Sequence, residues 1–126
     1  MVLVDSDILI QYSRRDLKAA AWLDKTSEDT ELVISVITEI ELIIGSRDKD
    51  HLREVRKFLS KFEIFHIDEE ISQLASSLIE KYCLSHRLQL PDAMIAATAL
   101  VNDFRLATIN IKDFRFIDGL ALADYR

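Results

Sequence analysis

Short apolar runs alternate with longer amphipathic stretches along this chain, and the two patterns predict different secondary structure. The runs at residues 2–5, 32–36, 64–67 and 105–109 are rich in aliphatic residues and have the length of buried strands. A fifth short strand is expected near residues 120–123. Short strands that alternate with helices indicate a parallel sheet with helices on both faces.

Apolar residues at helical spacing occupy the segments between these runs. They predict helices at residues 6–12, 16–25, 38–44, 49–62, 69–86 and 91–101. Residues 93–101 are nearly all apolar, so the last helix should be central and buried. We therefore expect an α/β fold, a three-layer α/β/α sandwich with a short, mainly parallel central sheet of four to five strands. Residues 1–126 are expected to form it as one domain.

The composition is that of a globular protein, with 49% apolar and 30% charged residues. Its one cysteine, Cys83, allows no internal disulfide, which is typical of a reducing compartment. The first residues lack the features of a signal peptide, and no apolar run approaches the roughly 20 residues of a membrane span. We therefore expect a cytoplasmic protein with no membrane partner.

Several catalytic classes lack their sequence signatures here. The two glycines form no phosphate-binding loop, the three histidines have no zinc-site spacing, and no Ser-His-Asp or Cys-His arrangement is evident. The net charge of −6 alone argues against a nucleic-acid partner. If four of the negative charges belong to one metal site, however, the remaining charge is −2. The bulk charge therefore does not decide the partner.

Four acidic residues lie where a parallel sheet would bring them together: Asp5, Glu41, Asp92 and Asp113. Asp5 ends the first apolar run, Asp113 follows the fourth, and Glu41 and Asp92 lie near helix starts. Parallel strands place their following loops at one edge of the sheet, where ligands bind. Two carboxylates about 4 Å apart repel by on the order of 4 kcal/mol at an effective dielectric of about 20. A hard divalent cation would relieve that repulsion.

Each acid also has an ordinary structural explanation. Asp5 is a suitable helix N-cap, and Glu41 lies three residues after Thr38, which is the spacing of a capping box. Asp113 has nearby basic residues with which it would form a weak surface pair. Asp92 is the least easily explained, because it opens an apolar helix and has no basic residue beside it.

Four segments carry a resemblance to a known family. They are Val-Asp-Ser-Asp-Ile-Leu at 4–9, Ser-Val-Ile-Thr-Glu-Ile-Glu-Leu-Ile-Ile-Gly at 35–45, Leu-Pro-Asp-Ala-Met-Ile-Ala-Ala-Thr-Ala at 90–99 and Thr-Ile-Asn-Ile-Lys-Asp-Phe at 108–114. Together they resemble the PIN domain (PilT N-terminus), and in particular the VapC-type toxins of bacterial and archaeal toxin–antitoxin pairs. Asp7 departs from the pattern, because the family more often has Asn, Ser or Thr there. It is either an additional ligand or an acid that faces solvent.

The resemblance implies an endoribonuclease that hydrolyses RNA phosphodiesters with a water activated by Mg²⁺ or Mn²⁺. Asp5, Glu41, Asp92 and Asp113 would be the catalytic residues and would hold one or two ions. The resemblance also implies supporting residues, namely Asp7, Thr38, Thr108 and Asn110. Candidate RNA contacts near the expected cleft are Arg14, Arg15, Lys112 and Arg115.

The same resemblance implies two protein partners beside the RNA substrate. A VapB-like antitoxin would pack a helix into an apolar groove lined by Trp22, Leu23 or the neighbouring helices. A second copy of the chain would form a homodimer.

Three other interpretations of the acidic residues are open. One is a phosphoacceptor receiver domain, which needs an Asp at the end of strand three and a Lys at the end of strand five. The chain has Asp68 near the first position, but no Lys follows Leu120. The second is a non-catalytic binding module with a PIN-like fold. The third is a structure-specific DNA nuclease of the wider superfamily, although such chains are usually longer.

Overall fold

A parallel sheet lies at the centre of the structure, a computed structural model that describes residues 1–126. Its four strands are β1 (Val2–Val4), β2 (Leu32–Ser35), β3 (Glu63–Phe65) and β4 (Arg105–Ala107), in the spatial order β3-β2-β1-β4. Leu3 in β1 pairs with Val33 on one side and Leu106 on the other. Every strand pairing is parallel, so all four strands end at the same edge of the sheet.

Six helices and one 3₁₀ turn connect and follow the strands. The helices are α1 (Ser6–Ser13), α2 (Leu17–Asp29), α3 (Val36–Ile44), α4 (Lys49–Leu59), α5 (Glu69–His86) and α6 (Leu90–Asn102), and the 3₁₀ turn (Ile111–Asp113) follows β4. None of the helices has the length and apolar composition that a membrane span requires.

The sheet separates two hydrophobic cores, because alternate strand residues point to opposite faces. Leu3 belongs to a core built with side chains of α5 and α6, whereas Val2 and Val4 belong to a second core with side chains of α1 and α2. All three β1 side chains have 0% exposure, so β1 is buried on both faces. The predicted three-layer α/β/α fold is confirmed.

The N-terminus of α3 differs from the prediction. Ser35 is the N-cap, and its hydroxyl accepts a hydrogen bond of 3.0 Å from the backbone N–H of Ile37. Thr38 lies inside the helix, so the capping-box explanation of Glu41 is wrong. Glu41 is therefore free of the helix terminus and available to the sheet edge.

Several predicted elements end earlier than expected, among them the third and fourth strands, which end at Phe65 and Ala107 and not at residues 67 and 109. The fifth strand is reduced to one parallel bridge between Leu106 and Leu122, so the sheet has four strands. The helix predicted at residues 49–62 ends at Leu59. It ends there because Lys61 and Phe62 donate turn hydrogen bonds to the carbonyls of Phe58 and Leu59, which redirect the chain into β3.

The side chain of Phe114 anchors the segment that follows the 3₁₀ turn, since it is the largest of the fully buried side chains. We expect Phe114→Ala to lower the free energy of unfolding by about 3–5 kcal/mol, because the substitution leaves a cavity in the core. Ile111→Ala, in the adjacent 3₁₀ turn and 43% exposed, is the control and should change stability little. Chemical denaturation measures both, and equal losses in the two variants would contradict the anchoring role.

Candidate metal centre

Five carboxylates face one another at the edge where the strands end. Asp5 follows β1 and is the N-cap of α1, and Asp7 lies in the first turn of that helix. Asp92 lies in the first turn of α6, and Asp113 is the last residue of the 3₁₀ turn after β4. Glu41 is in the middle of α3, the helix that follows β2. The fold thus brings together all four acids selected from the sequence and adds Asp7.

The Thr108 hydroxyl bridges the two acids at the end of β1. Thr108 Oγ1 lies 2.8 Å from Asp5 Oδ2 and 3.1 Å from Asp7 Oδ2, and it carries a single proton for the two acceptors. Asp5 Oδ1 accepts a second bond of 2.8 Å from the backbone N–H of Ser6. Both Asp5 and Thr108 are buried, so this bridge fixes the end of β1 against the end of β4.

Asp7 also holds the loop that leads to Asp113. Its Oδ2 accepts bonds from the backbone N–H groups of Ile109 and Asn110 at 3.1 and 3.2 Å, and from Asn110 Nδ2 at 3.0 Å. The loop is therefore fastened to the first turn of α1 by one carboxylate oxygen. An Asp7 that faces solvent, one of the two sequence alternatives, does not fit this arrangement.

Burial and mutual repulsion make the charged forms of these acids unfavourable. Burial raises the pKa of Asp5 to about 7, repulsion from Asp7 adds to the rise, and the Thr108 hydrogen bond opposes it. Burial also raises the pKa of Asp92 to about 6, with further repulsion from Asp113, Glu41 and Asp7. Uptake of a proton or a cation by the cluster therefore stabilises the folded state.

Two further acids of the cluster, Asp7 and Glu41, each have one oxygen without a hydrogen-bond partner. Burial raises the pKa of Asp7, although the bonds from Thr108 and the following loop oppose the rise. Burial likewise raises the pKa of Glu41, repulsion from Asp7 adds to it, and the nearby Ser6 hydroxyl opposes it. Asp7 Oδ1 and Glu41 Oε1 are buried without a hydrogen-bond partner. Such oxygens are costly to bury unless something electropositive meets them.

No basic side chain of the protein supplies that positive charge. The four ion pairs of the structure involve none of the five carboxylates. Glu39, which is two residues before Glu41, instead pairs with Arg56 Nη1 at 3.9 Å on another face of α3. Only Glu41 of these two glutamates therefore faces the cluster.

The donor set fits a hard divalent cation, since it consists of carboxylate oxygens, two of them buried and unpartnered. As the side chains are oriented, no group of three or more Asp, Glu, His or Cys residues is arranged to hold one ion. Ligation by three of the carboxylates therefore requires a change of side-chain rotamer. Asp113 is exposed and has room for such a change, whereas Asp5 is fixed by two hydrogen bonds.

The predicted supporting residues divide into two groups. Thr108 and Asn110 contact the acids directly. Thr38 is fully buried, but its hydroxyl has no hydrogen-bond partner and contacts none of the carboxylates by a hydrogen bond. Sequence reasoning missed Ser6, whose backbone N–H holds Asp5. Its position directly after Asp5, at the start of a helix, was the available signal.

A groove of about 690 Å³ opens beside Glu41, between α1, α3 and α4. Arg14 and Arg15, two of the four candidate RNA contacts, line it together with Arg47 and His51, which the sequence analysis did not select. The other two candidates, Lys112 and Arg115, are exposed on either side of Asp113 and form no ion pair with it. The surface pair suggested for Asp113 is therefore not formed.

Comparison with known proteins identifies the family. A family model described as the PIN domain matches residues 2–120. Ribonuclease VapC10 of Mycobacterium tuberculosis is 40% identical over 121 residues, which cover 95% of this chain and 90% of that protein. Ribonuclease VapC1 of Methanocaldococcus jannaschii is 30% identical over 126 residues, which cover 98% of this chain and 86% of that protein.

Solved structures show the same architecture. A chain of a toxin–antitoxin complex from Klebsiella pneumoniae aligns with a TM-score of 0.81 at 31% identity and covers 96% of each chain. A chain of VapBC2 from Rickettsia felis, solved bound to a DNA fragment from the promoter, aligns with a TM-score of 0.84 at 23% identity over 100% of each chain. At that identity the second likeness concerns the fold.

The raised pKa values predict how stability varies with pH when metal is removed. Between about pH 4 and pH 7 the folded protein retains protons on Asp5 and Asp92 that the unfolded chain has released, so stability falls as pH rises through this window. Asp92→Asn should flatten the decline and raise the metal-free melting temperature near pH 7.5. Thermal unfolding in a chelator measures this, with Asp24→Asn on the exposed surface of α2 as the control. A lower melting temperature for Asp92→Asn would contradict the repulsion.

Proposed function

The chain belongs to the PIN domain family, and on that premise we propose that it is a metal-dependent endoribonuclease, the toxin of a toxin–antitoxin pair. The observation that carries the proposal is the cluster of five carboxylates without a basic partner, of which four are buried or half-buried and Asp113 is exposed. Relatives named ribonucleases, aligned over nearly the whole chain, support the same reaction class. A cytoplasmic location stays a prediction.

Asp5 and Asp92 are the residues that we propose as direct ligands of Mg²⁺ or Mn²⁺. Glu41 and Asp113 complete the site, directly or through water, and the number of ions is one or two. A bound ion of this kind lowers the pKa of a water and stabilises charge that develops on a phosphodiester. Thr108 holds the Asp5 carboxylate in place, and Asp7 holds the loop that carries Asp113. The chain needs no nucleophilic side chain for this hydrolysis.

RNA must approach this acidic centre along positive charge. The groove beside Glu41 offers Arg14, Arg15 and Arg47, none of which is paired with an acid. We propose that these arginines bind phosphates of the strand on the Glu41 side of the centre. Lys112 and Arg115 are placed to do so on the Asp113 side.

A VapB-like antitoxin is the proposed protein partner, because the structural relatives were solved as toxin–antitoxin complexes. A second groove, of about 410 Å³, is lined in part by Tyr12, Leu23, Phe58 and Phe62 and would accept an apolar helix. Trp22 is not among the lining residues, since it is buried and its Nε1 donates to the carbonyl of Asp124 at 2.8 Å. A homodimer is proposed on the same grounds.

The competing interpretations receive less support. A receiver domain would need an Asp at the end of β3, but β3 ends at Phe65, and Asp68 is the N-cap of α5. A non-catalytic module would have no use for unneutralised buried carboxylates. The alignment covers 90% of ribonuclease VapC10 and 96% of the chain from the Klebsiella pneumoniae complex, so these relatives are about as short as this chain. That length does not favour a structure-specific DNA nuclease, whose chains are longer.

Removal of one proposed ligand tests the function directly. Wild type should cleave single-stranded RNA with Mg²⁺ or Mn²⁺, and a chelator should abolish cleavage. Asp92→Asn should lose cleavage and also lose the rise in melting temperature that Mn²⁺ gives wild type, because binding to the folded state stabilises it. Asp24→Asn should retain both. Cleavage that survives chelation would refute the mechanism.

The groove predicts a distinct effect on RNA affinity. Arg47→Gln should weaken binding of single-stranded RNA several-fold and reduce the slope of log affinity against log salt by about 0.7, the value for one lost phosphate contact. Arg53→Gln is the matched control, because Arg53 pairs with Asp50 at 3.2 Å and does not line the groove. Fluorescence anisotropy across a salt series measures both. Equal slopes for Arg47→Gln and wild type would exclude Arg47 from the RNA path.

A further inference from the structure

We propose that the ring of His86, supported by Phe116, is a stacking platform for one base of the RNA, beside the Asp92 and Asp113 side of the centre. This inference rests on the proposed ribonuclease function and adds a subsite to it. The groove beside Glu41 supplies charges for phosphates, whereas this platform supplies an aromatic face for a base.

The platform is a preformed aromatic cluster. The rings of His86 and Phe116 are stacked, with centroids 4.2 Å apart and planes inclined by 10°. Tyr82 meets both rings edge-on, and its hydroxyl accepts a hydrogen bond of 3.2 Å from the backbone N–H of Asp118. The Ser85 hydroxyl lies 2.8 Å from His86 Nδ1 and restrains the ring. His86 is exposed, whereas Phe116 is half-buried and Tyr82 is buried, so the cluster presents the histidine ring to solvent.

The platform lies close to the centre along the chain on both of its sides. Phe116 is three residues after Asp113, which limits the separation of their Cα atoms to about 11 Å. The backbone N–H of Ile117 bonds to the Phe114 carbonyl at 3.0 Å, so the segment turns and the actual separation is shorter. On the other side, His86 ends α5, and three residues then lead to α6 and Asp92.

The charges around the platform favour a polyanion. Arg87, Lys112 and Arg115 are exposed and form no ion pair. Apart from the acids of the proposed metal centre, the acid next to Phe116 in the chain is Asp118, and it is already paired with Lys81 Nζ at 3.1 Å. Cations that flank an aromatic face are the usual means of binding single-stranded nucleic acid without reading a long sequence.

Arg87 has a backbone conformation that is sterically most favourable for glycine. It follows α5 with φ of 56° and ψ of 38°, the left-handed region, which costs a non-glycine residue about 1 kcal/mol or more. An arginine at this position therefore adds a positive charge beside the platform at some expense in stability.

A purely structural role would also account for the stacked rings, because they pack the segment after the 3₁₀ turn onto α5. The two roles make different predictions, since an exposed ring contributes little to the core. Loss of His86 should leave stability nearly unchanged in both cases, but it should weaken RNA binding only if a base stacks on it.

The test measures the affinity for a short, fluorescein-labelled, single-stranded RNA of mixed sequence in an Asp92→Asn background, which prevents cleavage. We expect His86→Ala to weaken binding about tenfold, a typical loss for one stacked base. His86→Phe retains an aromatic face, and its affinity should be within about twofold of that of the parent, the Asp92→Asn protein with His86 intact. Gln73→Ala, on the same helix about 20 Å from His86, is the control and should also bind like the parent.

Abasic RNAs then identify stacking as the cause. In the parent, removing the base at one position should weaken binding about tenfold, and in His86→Ala removal of that same base should have no effect. If the abasic penalties are the same in both proteins, or if the parent does not bind the RNA, the platform is rejected.

Arg87→Gly tests the flanking charge independently. Glycine suits the left-handed conformation, so the variant should melt at the same or a higher temperature than the parent while binding RNA several-fold more weakly. Asp103→Gly relieves the same backbone conformation at the end of α6 and should leave RNA affinity unchanged. Unchanged affinity in Arg87→Gly would exclude that arginine.

Cleavage of the same unmodified RNA by wild type with Mn²⁺ separates the two proposals. If wild type cleaves the RNA but His86→Ala binds it as tightly as the Asp92→Asn parent does, the platform is rejected and the proposed ribonuclease function is retained. If wild type does not cleave the RNA and the Asp92→Asn parent does not bind it, both the ribonuclease function and the platform are rejected.

Discussion

Repulsion among carboxylates at one edge of a parallel sheet is the constraint around which this protein is organised. The parallel order β3-β2-β1-β4 makes that edge unavoidable, because every strand ends there. β1 is hydrogen-bonded on both sides and buried on both faces. The backbone of Asp5, which follows β1 directly, is therefore fixed near the other acids. Burial then raises the pKa of Asp5 to about 7 and that of Asp92 to about 6. Near neutral pH protons neutralise the cluster only in part, and a divalent cation does so more completely.

The hydrogen bonds of the centre decide which parts are rigid. Thr108 ties Asp5 to Asp7, and Asp7 in turn ties the loop of Ile109 and Asn110 to α1. These contacts join residues about a hundred positions apart in the chain. The result is a fixed side, formed by Asp5 and Asp7, opposite acids on α3, α6 and the 3₁₀ turn. Rotamer changes of the Glu41, Asp92 and Asp113 side chains would complete a metal site without moving the sheet.

Much of this arrangement was predictable because it depends on local pattern. Aliphatic runs gave the four strands, and the placement of Asp5 and Asp113 after two of them follows from parallel topology. The capping-box explanation of Glu41 failed because Ser35 is three residues nearer to the strand and caps α3 first. The fifth strand failed because its segment makes only two backbone hydrogen bonds with Leu106, one from each side of Leu122.

The features that sequence did not reveal all depend on tertiary contacts. The role of Asp7 requires the loop after β4 to fold back onto α1, and no local pattern encodes that meeting. Arg47 and His51 border Glu41 only because α3 and α4 enclose a groove with α1. His86 and Phe116 are thirty positions apart and stack because α5 and the segment after the 3₁₀ turn pack together. These residues belong to no recognisable sequence motif, so their contacts could not be predicted from the sequence.

We propose that acids from separate parts of the chain bind one divalent cation or a close pair of them. Anomalous diffraction from crystals of the protein soaked in Mn²⁺ tests it most directly. We expect manganese peaks between Asp5 and Asp92, with carboxylate oxygens of both at about 2.1 Å and with Glu41 or Asp113 in the first or second coordination sphere. A fully occupied manganese elsewhere, with this edge of the sheet lacking any anomalous peak, would contradict it.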